Sequence, residues 1–150
     1  MTPEKVILVY NADDGLFNAL SDWAHKLFSP ATHQCHLCRY TIGLSGMRFP
    51  WKEFLESLGC PLLFFHRPDF RELYPNLNVR FPVILVEVGG EPTVLLSASE
   101  IAKSGSLDGL IEATRDRFTY LTSQQQFHEL NGILTAGTRA GAHEEDGHEL

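Results

Sequence analysis

The sequence predicts an α/β protein with a four-stranded mixed sheet and helices on both faces. Near the N-terminus, short apolar runs rich in β-branched residues flank segments of helical period, which is typical of a β-α-β unit. Further along, two apolar runs flank the turn GGE at 89–91, which predicts an antiparallel hairpin. A last segment of helical period follows the hairpin and predicts a closing helix.

The first strand and the first helix are predicted from the N-terminal segment. KVILVY at 5–10 is a short apolar run that predicts a buried strand. The turn NADDG ends it, and Asp13 or Asp14 is expected to cap the next helix by accepting hydrogen bonds from its first N–H groups. Apolar residues then recur at helical spacing from Leu16 to Phe28, and Ser29-Pro30 is expected to end this helix.

The middle of the chain predicts a long loop, a helix and the second strand. Residues 31–47 show no sustained period and are predicted to form a loop. Pro50 suits a first helical turn, and Gly59 is expected to close the helix. Its apolar stripe is Trp51, Phe54, Leu55 and Leu58. CPLLFFH at 60–66 predicts a strand parallel to the first, because a helical crossover joins the two.

The C-terminal half predicts a hairpin and a final helix. Residues 67–80 are expected to be a loop with at most one helical turn. Ser97 and Glu100 have the spacing of a capping box. The buried face of the final helix is predicted to hold Leu107, Leu110, Ile111, Thr114 and Phe118. The domain is therefore expected to span 1–122. The apolar period fades beyond it, so 123–150 is expected to be a weakly structured or disordered tail.

Composition excludes several functional classes. The formal net charge is −7 and there is no basic run, so nucleic acid is not expected as a partner. No apolar stretch approaches the ~20 residues of a membrane span, so a membrane is not expected either. The N-terminus lacks the features of a secretory leader, and three cysteines are an odd number for a disulfide-stapled secreted module. A cytoplasmic location is expected.

The order of the predicted elements resembles that of a known fold. β-α-β followed by β-β-α is similar to the thioredoxin-like fold over roughly residues 5–120. The stretch RFPVILVEVGGEPTVLL at 80–96 looks like the segment where that fold carries a cis-proline before its third strand. The resemblance implies that Pro82 is this proline.

Two motifs resemble those of a group of small bacterial proteins with no established activity. These proteins share a Y-N-A-x-x-G start and a S-P-x-T-x-x-C-x-L-C run, here 10–15 and 29–38. The resemblance implies a bacterial cytosolic source and transfers no catalytic role.

The pair Cys35 and Cys38 in THQCHLC is the principal site candidate. A C-x-x-C pair near a β-α-β unit is typical of thiol–disulfide redox proteins. In thioredoxin-like proteins the first cysteine begins the helix after strand one, whereas NADDG occupies that position here. The favoured hypothesis is a thiol–disulfide protein in which one or both cysteines react, with a protein or a small-molecule thiol as partner. A second interpretation is also open, in which the pair is buried and structural and the module binds a protein partner.

Zinc is the alternative ligand of the pair, and no other cofactor is expected. Cys35 and Cys38 could bind a metal together with Cys60, His33 or His25. They are expected to lie close enough for bridging and near a histidine ring, because both interpretations need this geometry. His66 and Cys60 cannot share one ion, since they would lie about 20 Å apart on one strand at ~3.3 Å per residue.

A second site candidate lies at the end of the first strand. Tyr10, Asn11 and Asp13 occupy the carboxyl end of a strand, where open α/β sheets bind ligands. Pro82 joins them through the thioredoxin-like resemblance. Helix capping is the simpler explanation of Asp13. Neither a phosphate-binding P-loop nor a G-x-S-x-G nucleophile motif occurs in the sequence.

Overall fold

The computed structural model describes residues 3–12 and 35–141, with side chains described as far as residue 135. The predicted helix at 16–28 and the residues Asp13, His25 and His33 lie outside this part of the chain. The strands are β1 Lys5–Tyr10, β2 Ile42–Gly43, β3 Gly46–Met47, β4 Leu62–His66, β5 Val83–Val88 and β6 Glu91–Leu96. The helices are α1 His36–Thr41, α2 Phe49–Ser57, α3 Arg67–Leu73, α4 Ala98–Lys103 and α5 Leu107–Gly141.

Four of the strands form a mixed sheet in the order β4-β1-β5-β6. β1 pairs in parallel with β4, so that Tyr10 lies beside His66 at the carboxyl end of both strands. β5 runs antiparallel to β1 and to β6. The hairpin turns at Gly89 and Gly90, whose φ angles of 61° and 79° favour residues without a Cβ. The predicted mixed sheet, parallel first pair and hairpin are confirmed.

Helices cover both faces of the sheet, as predicted. Alternate residues of β1 point to opposite faces, with Val6, Leu8 and Tyr10 in one core cluster. α1, α2, α4 and α5 all contribute buried side chains to this larger cluster. The smaller cluster on the other face holds Ile7 and Val9, which pack with Phe70 of α3.

The loop predicted for 31–47 is wrong over 35–47, which contain α1 and the short hairpin of β2 and β3. The apolar residues here are too few for a helical period, but Leu37, Cys38 and Ile42 are all buried in the larger cluster. Tertiary packing therefore orders a segment with a weak local pattern. Between 67 and 80, α3 spans seven residues rather than the single turn expected.

α5 continues to Gly141, so 123–141 are helical where the sequence predicts a weakly structured or disordered tail. The apolar period fades beyond Thr122, so the apolar pattern alone does not indicate this helix. A helix also needs only local hydrogen bonds, and the segment 123–135 has no proline and a single glycine, Gly132. Although α5 is long, none of the helices in the described ranges combines the length and apolar composition of a membrane span.

Other local predictions are confirmed. Pro50 lies in the first turn of α2, and Gly59 follows the helix with a φ of 72°. Ser97 and Glu100 form a complete capping box at α4. The Phe81–Pro82 peptide bond is cis and directly precedes β5, and the Pro82 side chain is buried.

Candidate redox site

Cys35 and Cys38 form a disulfide across the first turn of α1. Their Cα atoms lie 5.3 Å apart, within the usual range for a disulfide. The expected proximity of the pair is therefore confirmed. Cys60, the remaining cysteine, is half-buried and outside any disulfide, and burial raises the pKa of its thiol.

The local sequence places the Cys35 sulfur against the start of α1. Cys35 is the N-cap residue, with extended backbone angles, and its Sγ accepts a hydrogen bond of 3.2 Å from the backbone N–H of Cys38. Side chains at this position satisfy first-turn N–H groups that lack a partner within the helix. The spacing of the two cysteines thus serves both the disulfide and the cap. Sequence reasoning missed this helix start.

Both sulfur-bearing residues are inside the core. Cys35 is 0% exposed and Cys38 is 2% exposed. They share a cluster with Trp51, Ile101 and Leu110, which belong to three different helices. A redox pair needs at least one exposed thiolate, and the structure differs from this requirement. A partner can reach these sulfurs only after a local opening.

Side-chain hydrogen bonds hold α1 in place. The Thr41 hydroxyl donates to the Leu37 carbonyl at 2.6 Å, and both residues are buried. The Tyr40 hydroxyl donates to the Ala102 carbonyl of α4 at 3.3 Å, which ties the two helices together. His36 lies between the two cysteines in the sequence. Its ring packs on the ring of Tyr40, and the two ring centroids are 6.0 Å apart.

The described residues test the version of the metal alternative in which Cys60 is a ligand. Among 3–12 and 35–135, no group of three or more His, Cys, Asp or Glu side chains is arranged to hold a metal ion, so Cys60 does not join the pair as a ligand. His25 and His33 lie outside these ranges, and their part in a zinc site stays a prediction. Zinc would need Cys35 and Cys38 as thiolates, which requires the disulfide to be reduced first.

Tyr10 connects the second candidate site to the first. Its side chain is fully buried in the same cluster as the cysteines. Burial raises the pKa of the Tyr10 phenol to about 12, and hydrogen bonding with the side chains of Thr41 and Trp51 partly opposes this shift. Tyr10 is thus a core residue that contacts α1. Asn11 is half-buried, whereas Asp13 lies outside the described chain.

A histidine–aspartate pair at the end of β4 was missed by sequence reasoning. His66 Nδ1 lies 3.4 Å from Asp69 Oδ2, and the His66 side chain is only 12% exposed. Next to it, the Arg67 N–H donates to the Ala12 carbonyl at 3.2 Å and so joins the ends of β4 and β1. β4 is the parallel neighbour of β1, so its carboxyl end lies at the same edge of the sheet, where open α/β sheets bind ligands.

Comparisons with models of protein families, with curated proteins and with solved structures find no match to this chain. The two resemblances drawn from the sequence therefore stay predictions. The geometry of Cys35 and Cys38 and of the side chains around them is the basis for proposing a function.

Proposed function

We propose that the protein is a cytoplasmic thiol–disulfide redox protein of thioredoxin-like architecture, in which Cys35 and Cys38 cycle between disulfide and dithiol. The observation that supports this most is the disulfide within the first turn of α1. Two thiols separated by two residues can close this bond without moving any other element. The partner is a protein or a small molecule that carries a thiol or a disulfide.

Cys35 is the proposed nucleophile. In the reduced protein, the Cys38 N–H that points at the Cys35 sulfur would stabilise a negative charge there. Cys38 is in the helix and lacks an equivalent contact among the described hydrogen bonds. The cap thus distinguishes two cysteines that the sequence leaves equivalent.

The reaction transfers two electrons from the pair to the partner. The Cys35 thiolate attacks a partner disulfide, which forms a mixed disulfide and releases one partner thiolate. Cys38 then loses its proton and attacks the Cys35 sulfur of the mixed disulfide. This step closes the Cys35–Cys38 bond and releases the second partner thiolate, so the partner is reduced and the pair is oxidised.

Complete burial of both cysteines favours a second candidate, a structural disulfide that only stabilises α1. The two proposals differ in the reduction potential that they require. Structural disulfides usually have potentials below about −300 mV, whereas exchanging pairs lie closer to the glutathione potential.

The deciding experiment equilibrates a Cys60→Ser variant in buffers of graded thiol/disulfide ratio and counts free thiols by mass after alkylation. Removal of Cys60 leaves Cys35 and Cys38 as the only cysteines whose thiols can be alkylated. We expect two thiols to appear together within the range that glutathione can buffer. A pair that stays oxidised at every ratio supports the structural disulfide instead.

Trapping identifies the nucleophile. In the Cys60→Ser background, we expect Cys38→Ser to accumulate a mixed disulfide with glutathione disulfide at Cys35, since the resolving thiol is missing. Cys35→Ser is the matched control and should react at least about tenfold more slowly, because the remaining thiol lacks the capped position. Equal trapping of the two variants would refute the role given to the Cys38 N–H. Intact mass measured against time follows both reactions.

A further inference from the structure

The distal part of α5 carries a second apolar stripe, and its side chains are exposed. Tyr120, Phe127, Leu130 and Leu134 are between 60% and 67% exposed, and the adjacent Ile133 is 69% exposed. Every residue from 126 to 135 is exposed, so this part of the helix extends beyond the body of the protein. Apolar side chains of this size, clustered on one helix, indicate an interaction surface.

The distal part of the stripe lies on the side of α5 opposite its buried face, whereas Tyr120 lines a cleft beside Leu96 and Glu100. The residues that pack inward are Leu110, Thr114, Phe118, Leu121 and Gln125. At 3.6 residues per turn, Phe127, Leu130 and Leu134 lie about 180° around the helix from these positions. Within the part of the chain that the structure describes, the domain therefore packs on one face of α5 and leaves the stripe exposed.

The spacing of the stripe is that of a coiled-coil seam. Tyr120, Phe127 and Leu134 are seven residues apart, and Leu130 follows Phe127 by three. These are the a and d positions of a heptad, where side chains pack into holes on a facing helix. The occupant that fits this seam is therefore another helix with the same spacing.

The residues that flank the seam select the occupant. Gln124, Gln126, Asn131 and Ile133 occupy the e and g positions, and all of them are uncharged. His128 and Glu129, the ionisable residues between 120 and 135, lie outside the seam and its flanks. An acidic or basic partner would find no complementary charge here. Amide side chains both donate and accept hydrogen bonds, so identical flanks are complementary to each other.

We propose that this seam, formed by Tyr120, Phe127, Leu130 and Leu134, pairs with the same seam of a second copy of the chain. Stable interfaces bury at least about 1,200 Å² in total, so a seam of four large apolar side chains per copy places this dimer at the weak end of protein interfaces. The dimer is expected to dissociate in the micromolar range. This inference is independent of the redox proposal, since it uses none of the cysteines.

The test measures the mass of the full-length protein by sedimentation velocity over a concentration series through the micromolar range. The Cys60→Ser background with the internal disulfide intact excludes intermolecular disulfides. We expect the mass to rise from 16.9 kDa toward twice that value with increasing concentration. The proposal is overturned if the protein with an unchanged seam stays monomeric at the highest concentration, even if the seam binds some other molecule.

Two arginine variants locate the interface. Leu130→Arg puts a charge in the seam, and it should weaken the dimer at least tenfold. Thr135→Arg is the matched control on an exposed side of the same helix, and it should dimerise like the parent protein. Circular dichroism verifies that both variants retain α5. Equal dimerisation of the two variants, or equal loss, overturns the assignment of the seam.

Discussion

At the scale of single residues, the buried polar groups of the larger core cluster determine how the candidate site is held. Thr41 and Thr114 are buried completely, and each donates its hydroxyl hydrogen bond to a backbone carbonyl four residues earlier, at 2.6 Å. Such local partners allow a hydroxyl to enter an apolar core at little cost. Tyr10 is the large polar side chain of this cluster, and its phenol is kept in the neutral form.

Tyr10 makes stability depend on pH in the alkaline range. Its folded pKa of about 12 lies above the ordinary pKa of 10.0 for a tyrosine, so between these values the unfolded chain loses a proton that the folded chain keeps. The free energy of unfolding should therefore fall as pH rises from about 10 to about 12, by at most about 1.4 kcal/mol per pH unit. Urea unfolding of the Cys60→Ser protein at several alkaline pH values measures this slope.

The Tyr10→Phe variant should show a flatter slope over the same pH range, because it has no phenol to ionise. Tyr74→Phe is the comparison. Burial and the neighbouring Glu87 also raise the pKa of Tyr74, but Tyr74 lies at a more accessible position than Tyr10. A slope that is unchanged in Tyr10→Phe would contradict the assignment of this effect to Tyr10.

At the scale of elements, caps decide where two short helices begin. α1 and α4 have six residues each, too few to be stable alone in water. The Cys35 sulfur caps α1, and the Ser97 hydroxyl accepts from the Glu100 N–H at 3.3 Å to cap α4. Glu100 completes the box by accepting from the Ser97 N–H at 2.8 Å, and this bond is the main cause of its lowered pKa.

Loss of the α4 cap should reduce stability measurably. We expect Ser97→Ala to lower the free energy of unfolding by about 1 kcal/mol, because it leaves the Glu100 N–H without its acceptor. Ser99→Ala, two residues further along, is the control and should change stability by less than about 0.5 kcal/mol, since Ser99 is exposed and makes no cap. Chemical denaturation of both variants tests this difference, and equal losses would show that the box contributes nothing specific.

At the scale of the whole molecule, the packing of four helices against one face of the sheet encloses the cysteine pair. The disulfide itself closes a loop with a sequence separation of only three residues, so it constrains the unfolded chain little. We therefore expect most of the stability of the fold to come from the two apolar clusters, and the domain to stay folded when the pair is reduced.

Reduction should destabilise the protein modestly and leave it folded. We expect the free energy of unfolding of Cys60→Ser to fall by at most about 2 kcal/mol in excess reductant, as loop entropy predicts for so short a loop. Unfolding curves with and without reductant measure this change, and the double variant Cys35→Ser/Cys38→Ser should match the reduced protein. Global unfolding upon reduction would favour the structural disulfide over the redox proposal.

The sequence by itself determined the features that depend on local pattern. The run at 5–10, the hairpin around Gly89 and the stripe of α2 have clear periods, so their strands and helix were predictable. The capping box of Ser97 and the parallel pairing of β1 with β4 follow from short motifs and crossover geometry. The proximity of Cys35 and Cys38 follows from a spacing that fits one helical turn.

Tertiary structure alone decided the environment of the site. α1 has no amphipathic period, and it is helical because its few apolar residues are buried against α2, α4 and α5. The burial of both cysteines and the contact of Tyr10 with α1 depend on residues far apart in the chain. The two opposite faces of α5 became distinguishable only when one of them was seen to pack on the domain. Local patterns specify elements, whereas burial and surface are properties of how those elements meet.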